Sequence, residues 1–512
     1  MRRVIAFLFS ATLAIPAVAG TYYIDWSGGS DANSGTSTNS AWKDAPGMAG
    51  FAATYAHAAG DRFIFRGGTT WPTNIAVWTI SNSGAAGTND YYGVDTNWFT
   101  GVSWSRPVFD GGGCNPIPSF RQYGYWVVGG NYVTIDNLCL TNIGVTGVEQ
   151  GDYAVKVTST TGLLIEHCTF APNANRAIVF AWYGSGNDIV ISSNDFSMCC
   201  WGVGGGNATT DIVITNFTLA HNTMHDFNSQ LVSGVHGDGC YLYASTTNVG
   251  TYCANFWAYD NVFYGDFSKY DKTNSAGGMT AFVWDSMLNQ GNAYIFNNMA
   301  TIQNDANVSG AWSCGPNSIN NNVAYLGAVY MLNNSYYAGT NCLYCMGFSS
   351  VTNGYMLNNV WKGGQSGVNS GLTASNMVVD YNDWNGGRPQ VNNYFFGTNS
   401  FATWRTLGFD LHSITNDPLF ISASNLQLQA VSPAISAGTN LLAFVSANNF
   451  PLATNDITGS GRPGNSAWDM GAYQSSTNAP VTPHRIIITS SGGPPSLVLS
   501  GTGTGTITLT GQ

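Results

Sequence analysis

A phrase that returns from Asn137 to Asn382 constrains this chain more than any other feature: alternating apolar residues, one or two polar ones, an Asn, then an apolar or aromatic residue two places on. Its copies are TIDNLC, VISSNDF, TLAHNTM, WAYDNVF, YIFNNMA, YMLNNSY, YMLNNVW and VVDYNDW. The Asn positions are Asn137, Asn194, Asn222, Asn261, Asn298, Asn334, Asn359 and Asn382, with Cys168 of IEHCTF between the first two. Pairs such as Leu163/Ile165, Ile189/Ile191, Phe217/Leu219 and Phe256/Ala258 turn every second residue toward a common interior. Each Asn then ends a strand, and amides stacked about 4.8 Å apart can donate to and accept from their neighbours. The pattern predicts an all-β chain folded as a right-handed parallel β-helix, a stacked solenoid, rather than a two-sheet sandwich with closer strand spacing.

The spacing of the ladder locates the additions to the solenoid. From Cys168 onward the gaps are 26, 28, 39, 37, 36, 25 and 23 residues, so the three middle rungs carry excursions. These fall near 225–238, 244–253, 264–279 and 301–320, and excursions from a rigid scaffold are where binding sites are built. The divisions expected are a signal peptide at 1–20, an N-terminal cap and first rungs at 21–130, the helix body at 131–390, closing rungs and a C-terminal cap at 391–475, and a Ser/Thr/Gly/Pro-rich tail at 476–512. The Ala-rich stretch 48–59 is a candidate capping helix over the exposed solenoid end.

Residues 1–20, MRRVIAFLFSATLAIPAVAG, have the layout of a secretory leader, and no later run is long enough to span a bilayer, so an extracellular or cell-surface location is expected. Subtracting the cationic Arg2 and Arg3 from the formal charge of −11 leaves −13. That acidity and the lack of basic clusters exclude phosphate-backbone binding, hence nucleic acid, whereas abundant Trp and Tyr among neutral hydrogen-bonding groups suit sugar rings. All ten Cys follow the leader and could pair in an oxidising compartment. Cys240 and Cys253 bracket an excursion and make a plausible disulfide, while Cys342/Cys345 and Cys199/Cys200 stay unassigned. No His/Cys arrangement has zinc-ligand spacing.

The opening TYYIDWSGGSDANSGTSTNSAWKD and DRFIFRGGTTW, with the closing NDPLF, SPAISAG and DITGSGRPGNSAWDMGAYQ, resemble secreted right-handed parallel β-helix proteins of the pectin-lyase-like superfamily. The resemblance covers about residues 21–475. It implies the fold and a polysaccharide partner without choosing a reaction, because the fold hosts lyases, hydrolases, epimerases, esterases and adhesins. Neither an Arg/Lys-rich lyase signature nor a paired-Asp hydrolase signature maps onto the chain.

The sharpest local constellation is SGVHGDGCYLY, residues 233–243, where His236 and Asp238 flank Gly237 in the first enlarged rung. A His beside a carboxylate can be oriented for acid or base work, although a Gly-rich turn also uses Asp for its own hydrogen bonds. Aligning 177–182, 239–244 and 281–286 places Arg176, Asp238 and Thr280 in one column and Ala181, Tyr243 and Asp285 in another. Asp285 is then expected about four residues along and one rung over, roughly 13–14 Å from Asp238. His221 and Asp260 each precede a ladder Asn and should be neighbours, as should Asp136 and His167. This is either a dyad or, as Asn297, Asn333 and Asn358 in the same column suggest, a polar turn column.

Hydrolysis of a glycan is the leading expectation, with Asp238 as acid or base, His236 tuning it, Asp285 as a further carboxylate, and Tyr241, Tyr243, Trp284 and Arg176 holding substrate. Elimination on a uronate polymer, with Lys269, Tyr270 or Lys272 from the segment DFSKYDKTN, is the alternative, and a non-catalytic glycan-binding adhesin is another. No cofactor is required. Asp25, Asp31 and Asn33 have the spacing of a Ca²⁺ loop but equally suit an Asx-turn loop.

Overall fold

The computed structural model describes residues 18–72, 78–112, 125–143, 153–170, 176–181, 184–199, 201–207, 212–227, 238–244, 252–265, 279–285, 291–302, 308–315, 325–338, 346–348, 351–363, 368–370, 377–386, 390–391 and 401–475. Within these, three sheets of 13, 11 and 11 strands, here A, B and C, run the length of the molecule, and every strand in them pairs in parallel with the rung before and after. One rung reads Val133–Asp136 in sheet A, Cys139–Thr141 in sheet C, Tyr153–Val157 in sheet B, then Leu164–Glu166 back in sheet A. Winding the chain this way gives the right-handed parallel β-helix that the repeat implies, with the handedness favoured for parallel crossovers.

The predicted alternation fills the interior. Ile135, Ile165, Ile191, Leu219, Ala258, Ile295, Met331, Met356 and Val379 occupy one continuous register column and are all buried. Such columns of branched and sulfur side chains remove apolar surface from water continuously along the axis, at about 25 cal/mol per Å².

The Asn ladder sits at the turn from sheet A to sheet C. Cys168 N–H donates to Asn194 Oδ1 at 2.9 Å, and the chain of amide bonds continues through Asn222, Asn261, Asn298, Asn334 and Asn359 to Asn382. Each Nδ2 also donates to a carbonyl of the rung before, as Asn261 does to Leu219 at 2.8 Å. Asn137 is not part of it: Asp136 pairs with Glu166, so Leu138 takes the ladder position and Asn137 falls one residue early. Its φ of +61° matches the residue before each ladder Asn, including His167, His221, Asp260, Asn297, Asn333 and Asn358. The left-handed conformation explains why short polar side chains recur there.

Residues 401–475 follow the last strands of the three sheets, and Ile414 adds one parallel bridge to Asp383 of sheet C. The helix Phe401–Thr406 and its following turn cap the ladder: Asp410 accepts from Asn382 Nδ2 at 3.1 Å and from Trp404 Nε1 at 2.6 Å, standing where the next Asn would be. The remainder folds back along the outside. Leu441, Val445 and Phe450 cover Tyr294, Tyr330 and Leu357 of sheet A, while Phe420, Leu426 and Met470 cover Val262, Met299 and Val360 of sheet C. Neither apolar cluster includes a residue of sheet B.

Three further expectations are corrected. The stretch 48–59 forms turns and extended backbone, because Phe51, Ala53 and Tyr55 face the core at period two and thus favour extension over helix. Cys240 and Cys253 are both buried in the interior and form no disulfide with one another. The excursion expected over 301–320 contains a regular sheet B strand, Val308–Gly315.

Candidate active site

The enlarged rungs concentrate their extra length at the edges of sheet B. The segments after His225, Gly265 and Ile302 lead from sheet C into sheet B, and those after Ala244 and Gly315 lead from sheet B to sheet A. The C-terminal residues partly cover sheets A and C.

Three positions define the outer face of sheet B. Val155, Val157, Val203, Cys240 and Leu242 point inward and are buried, so the alternate residues Lys156, Gly204 and Tyr241 point outward. Lys156 aligns with position 179, position 179 with Gly204, and Gly204 with Tyr241, forming one outer column roughly 14 Å long over three strand spacings. The Trp201 ring lies against Tyr241, centroids 4.9 Å apart and tilted by 49°. Glycine at 204 makes this possible, since a Cβ there would stand 2.6 Å from the Trp201 ring. Both aromatic side chains are partly exposed. Lys156 is also half-buried, and burial pulls its ammonium below the ordinary lysine range.

The sequence register holds here, with one strand more than expected. Arg176, Trp201, Asp238 and Thr280 form a single column, so the Gly-rich strand Trp201–Asn207 separates Arg176 from Asp238. Asp238 opens its strand and is fully buried, in contrast to the open cleft wall expected for it. Leu242 pairs with Trp284, which puts Tyr243 beside Asp285. Asp285 therefore lies five residues along from the Asp238 column, not four, or roughly 17 Å away. That exceeds the separation of about 6.5–9.5 Å used even by inverting glycosidases. Arg176, Tyr243, Trp284 and Asp285 are placed here by backbone register, whereas His236, Lys269, Tyr270 and Lys272 lie outside the described residues.

His221 and Asp260 do meet, Nδ1 to Oδ2 at 3.6 Å, but on the A-to-C turn in the left-handed column. Asn297 beside them binds Arg462 and the carbonyl of Asn455, so this column serves the docking of the C-terminal residues. Asp136 and His167 likewise pair at 2.9 Å.

A second His cluster carries no sequence signature. His225 Nδ1 lies 2.9 Å from Asp226 and Nε2 3.2 Å from Asp195, with the ring stacked on Tyr264 at 4.7 Å. Burial alone would depress this imidazole, but its bonds to Asp195 and Asp226 outweigh that and raise it to about 9. The resulting imidazolium fixes the point from which the chain departs toward Asp238.

The carboxylates of the two acidic sets are engaged by protein groups. Asp25 accepts from Ser27 N–H and Oγ and from Arg66, and Asp31 accepts from the N–H groups of Lys43, Asp44 and Ala52, which is the Asx-loop alternative. Asp136, Glu166 and His167 offer ligand atoms within 4.8 Å of one another, yet Asp136 already binds Tyr91 Oη at 2.7 Å and His167.

The fold is that of a parallel β-helix. No protein-family model matches the chain, and a comparison with curated protein sequences finds no match. Among solved structures it is similar to pectate lyase Pel9A, with 20% identity over 90% of this chain and 98% of the other and a TM-score of 0.45. It is also similar to an alginate lyase from Paenibacillus sp. str. FPU-7, with 13% identity, coverage of 65% and 93%, and a TM-score of 0.40. A third is the GH136 lacto-N-biosidase from Eubacterium ramulus, with 10% identity, coverage of 73% and 67%, and a TM-score of 0.36.

Proposed function

We propose that this chain is a secreted polysaccharide-degrading enzyme that binds its glycan along the outer face of sheet B and cleaves it by β-elimination. The observation that carries this reading is the shared outer column of Lys156 and Tyr241, with Trp201 stacked beside the latter. Aromatic faces suit the apolar faces of sugar rings. A lysine whose burial favours the neutral amine suits proton abstraction. The leader-like residues 1–20 support secretion.

In the step proposed, the neutral Lys156 amine takes the proton α to a uronate carboxylate. The released electron pair forms the new C=C bond, the glycosidic C–O bond breaks, and the departing oxygen takes a proton from solvent water. Lysine holds the abstracted proton as an ammonium and returns it to water.

Hydrolysis is the second reading; Asp238 stands in register with Trp201 at the start of the Tyr241 strand, but its full burial keeps it from a glycan on the outer face. The wide separation from Asp285 counts against those two carboxylates acting as a pair. A panel of neutral and uronate polysaccharides separates the readings. Elimination yields an ultraviolet-absorbing unsaturated uronate, hydrolysis yields reducing ends alone, and a binding module yields neither.

A further inference from the structure

We propose that residues 401–475 form a pH-sensitive cover, held on sheets A and C through two carboxylates, the buried Asp383 and the partly buried Asp260, that have to be neutral for it to stay seated. The argument starts from bonds that are not made. Asp383 is fully buried and neither of its oxygens has a hydrogen-bond partner. The cover lies directly over it, since Asp383 bridges Ile414, whose N–H donates to Asn382 O at 2.8 Å. The nearest cation, Lys362, is engaged elsewhere, with its Nζ 2.6 Å from Asp417 Oδ1. Asp260, a few rungs away, has Oδ1 buried and unpartnered, while its Oδ2 stands 3.6 Å from His221 Nδ1. Arg462 of the cover spends its guanidinium on Asn297 Oδ1 at 3.0 Å and on the carbonyls of Gly471 and Ala472.

The groups facing each carboxylate are few. Lys362 and Asp417 face Asp383, while Arg462 and Asp456 from the cover and His221 and Tyr259 from the helix face Asp260. A carboxylate held out of water with too few donors for its oxygens favours its protonated form. Burial first, with Asp417 adding and Lys362 opposing, raises Asp383 to about 8. Burial first, with Asp456 adding and Asn297 and Arg462 opposing, raises Asp260 to about 7.

Opening the cover returns both groups to water, where a carboxyl ionises near pH ~4. Opening therefore releases protons. The seated state is fully favoured below that ordinary carboxylate range, weakens as pH rises, and levels off above the raised values. Each group contributes up to about a tenfold rise in the opening constant per pH unit within its window. Release would bare the stacked rings of Trp257, Tyr294, Tyr330 and Tyr355, which the cover meets through Phe444 and Phe450.

Amide hydrogen exchange of residues 441–475 in the full chain, from about pH 5 to about pH 9 and corrected for intrinsic exchange, tests this. The expected profile climbs steeply to about pH 7, less steeply to about pH 8, and then flattens. Asp383→Asn and Asp383→Leu should each remove about one tenfold step per unit below pH ~8, and Asp260→Asn should flatten the part below pH ~7. A flat wild-type profile, or variants that keep the wild-type slope, overturns the proposal. Should the Asp383 variants fail to fold, Asp260→Asn alone decides. Calcium that restores protection at high pH in the wild type but not in Asp260→Asn would also overturn it, by showing that a cation rather than a proton neutralises the site.

Discussion

The indole of Trp201 rests against the ring of Tyr241 on the next strand of sheet B, 4.9 Å between centroids, in a space that only the missing side chain of Gly204 leaves open. Replacing either ring by Ala should raise KM by up to about tenfold with little change in kcat, because a stacking platform binds ground and transition states alike. Gly204→Ala should have a similar effect by displacing Trp201. Steady-state kinetics on a cleaved polysaccharide would show it, and a selective loss of kcat would argue instead for a chemical role.

Lys156→Ala should lower kcat by about 10²–10⁴-fold, and Lys156→Arg should not rescue it, since arginine keeps the charge but cannot act as a base. The wild-type rate should rise with pH along a limb set by a lysine titrating below its ordinary range, and that limb should vanish in both variants. Full activity in Lys156→Ala would remove this residue from the chemistry.

How much of this was legible in the sequence follows from the period of each signal. The interior columns repeat at period two within strands and at each rung between them, so the fold and the registers of Asp238 with Thr280 and of Tyr243 with Asp285 could be read directly. The strand Trp201–Asn207 escaped notice because WGVGGGN has almost no side chains to alternate, and with it Trp201 was lost as a site residue. Lys156 carries no signal of its own, because a single lysine in the strand YAVKV reads as an ordinary outward-facing position. The His225 cluster joins residues from two rungs with no shared motif, so only stacking brings Asp195 to Asp226. Asn137 misled by identity, because Asn suits both the ladder and the left-handed position before it.

The ladder should dominate stability. Asn261 donates to Leu219 O and Asn298 Oδ1 and accepts from Asn222 N and Nδ2, all within buried surroundings. Asn261→Ala should cost roughly 3 kcal/mol or more in urea unfolding, through the groups it leaves unsatisfied. A loss under about 1 kcal/mol would mean that water replaces the amide.

The thiols give a test of the corrected cysteine assignment. Cys168 is held well above the ordinary thiol range by burial, at about 12, and Cys240 and Cys253 are sealed in the core. These three should be unreactive toward thiol reagents in the folded chain and react only on denaturation. Mass spectrometry that finds a Cys240–Cys253 disulfide would contradict the interior described.

The most direct measurement of the central claim is the ultraviolet progress curve of wild type and Lys156→Ala on a panel of uronate polysaccharides, run beside a reducing-end assay. The account predicts an absorbing unsaturated product from at least one polymer with the wild type and a loss of about 10² or more with Lys156→Ala. Reducing ends without the absorbing product, at equal rates for the two proteins, would contradict it.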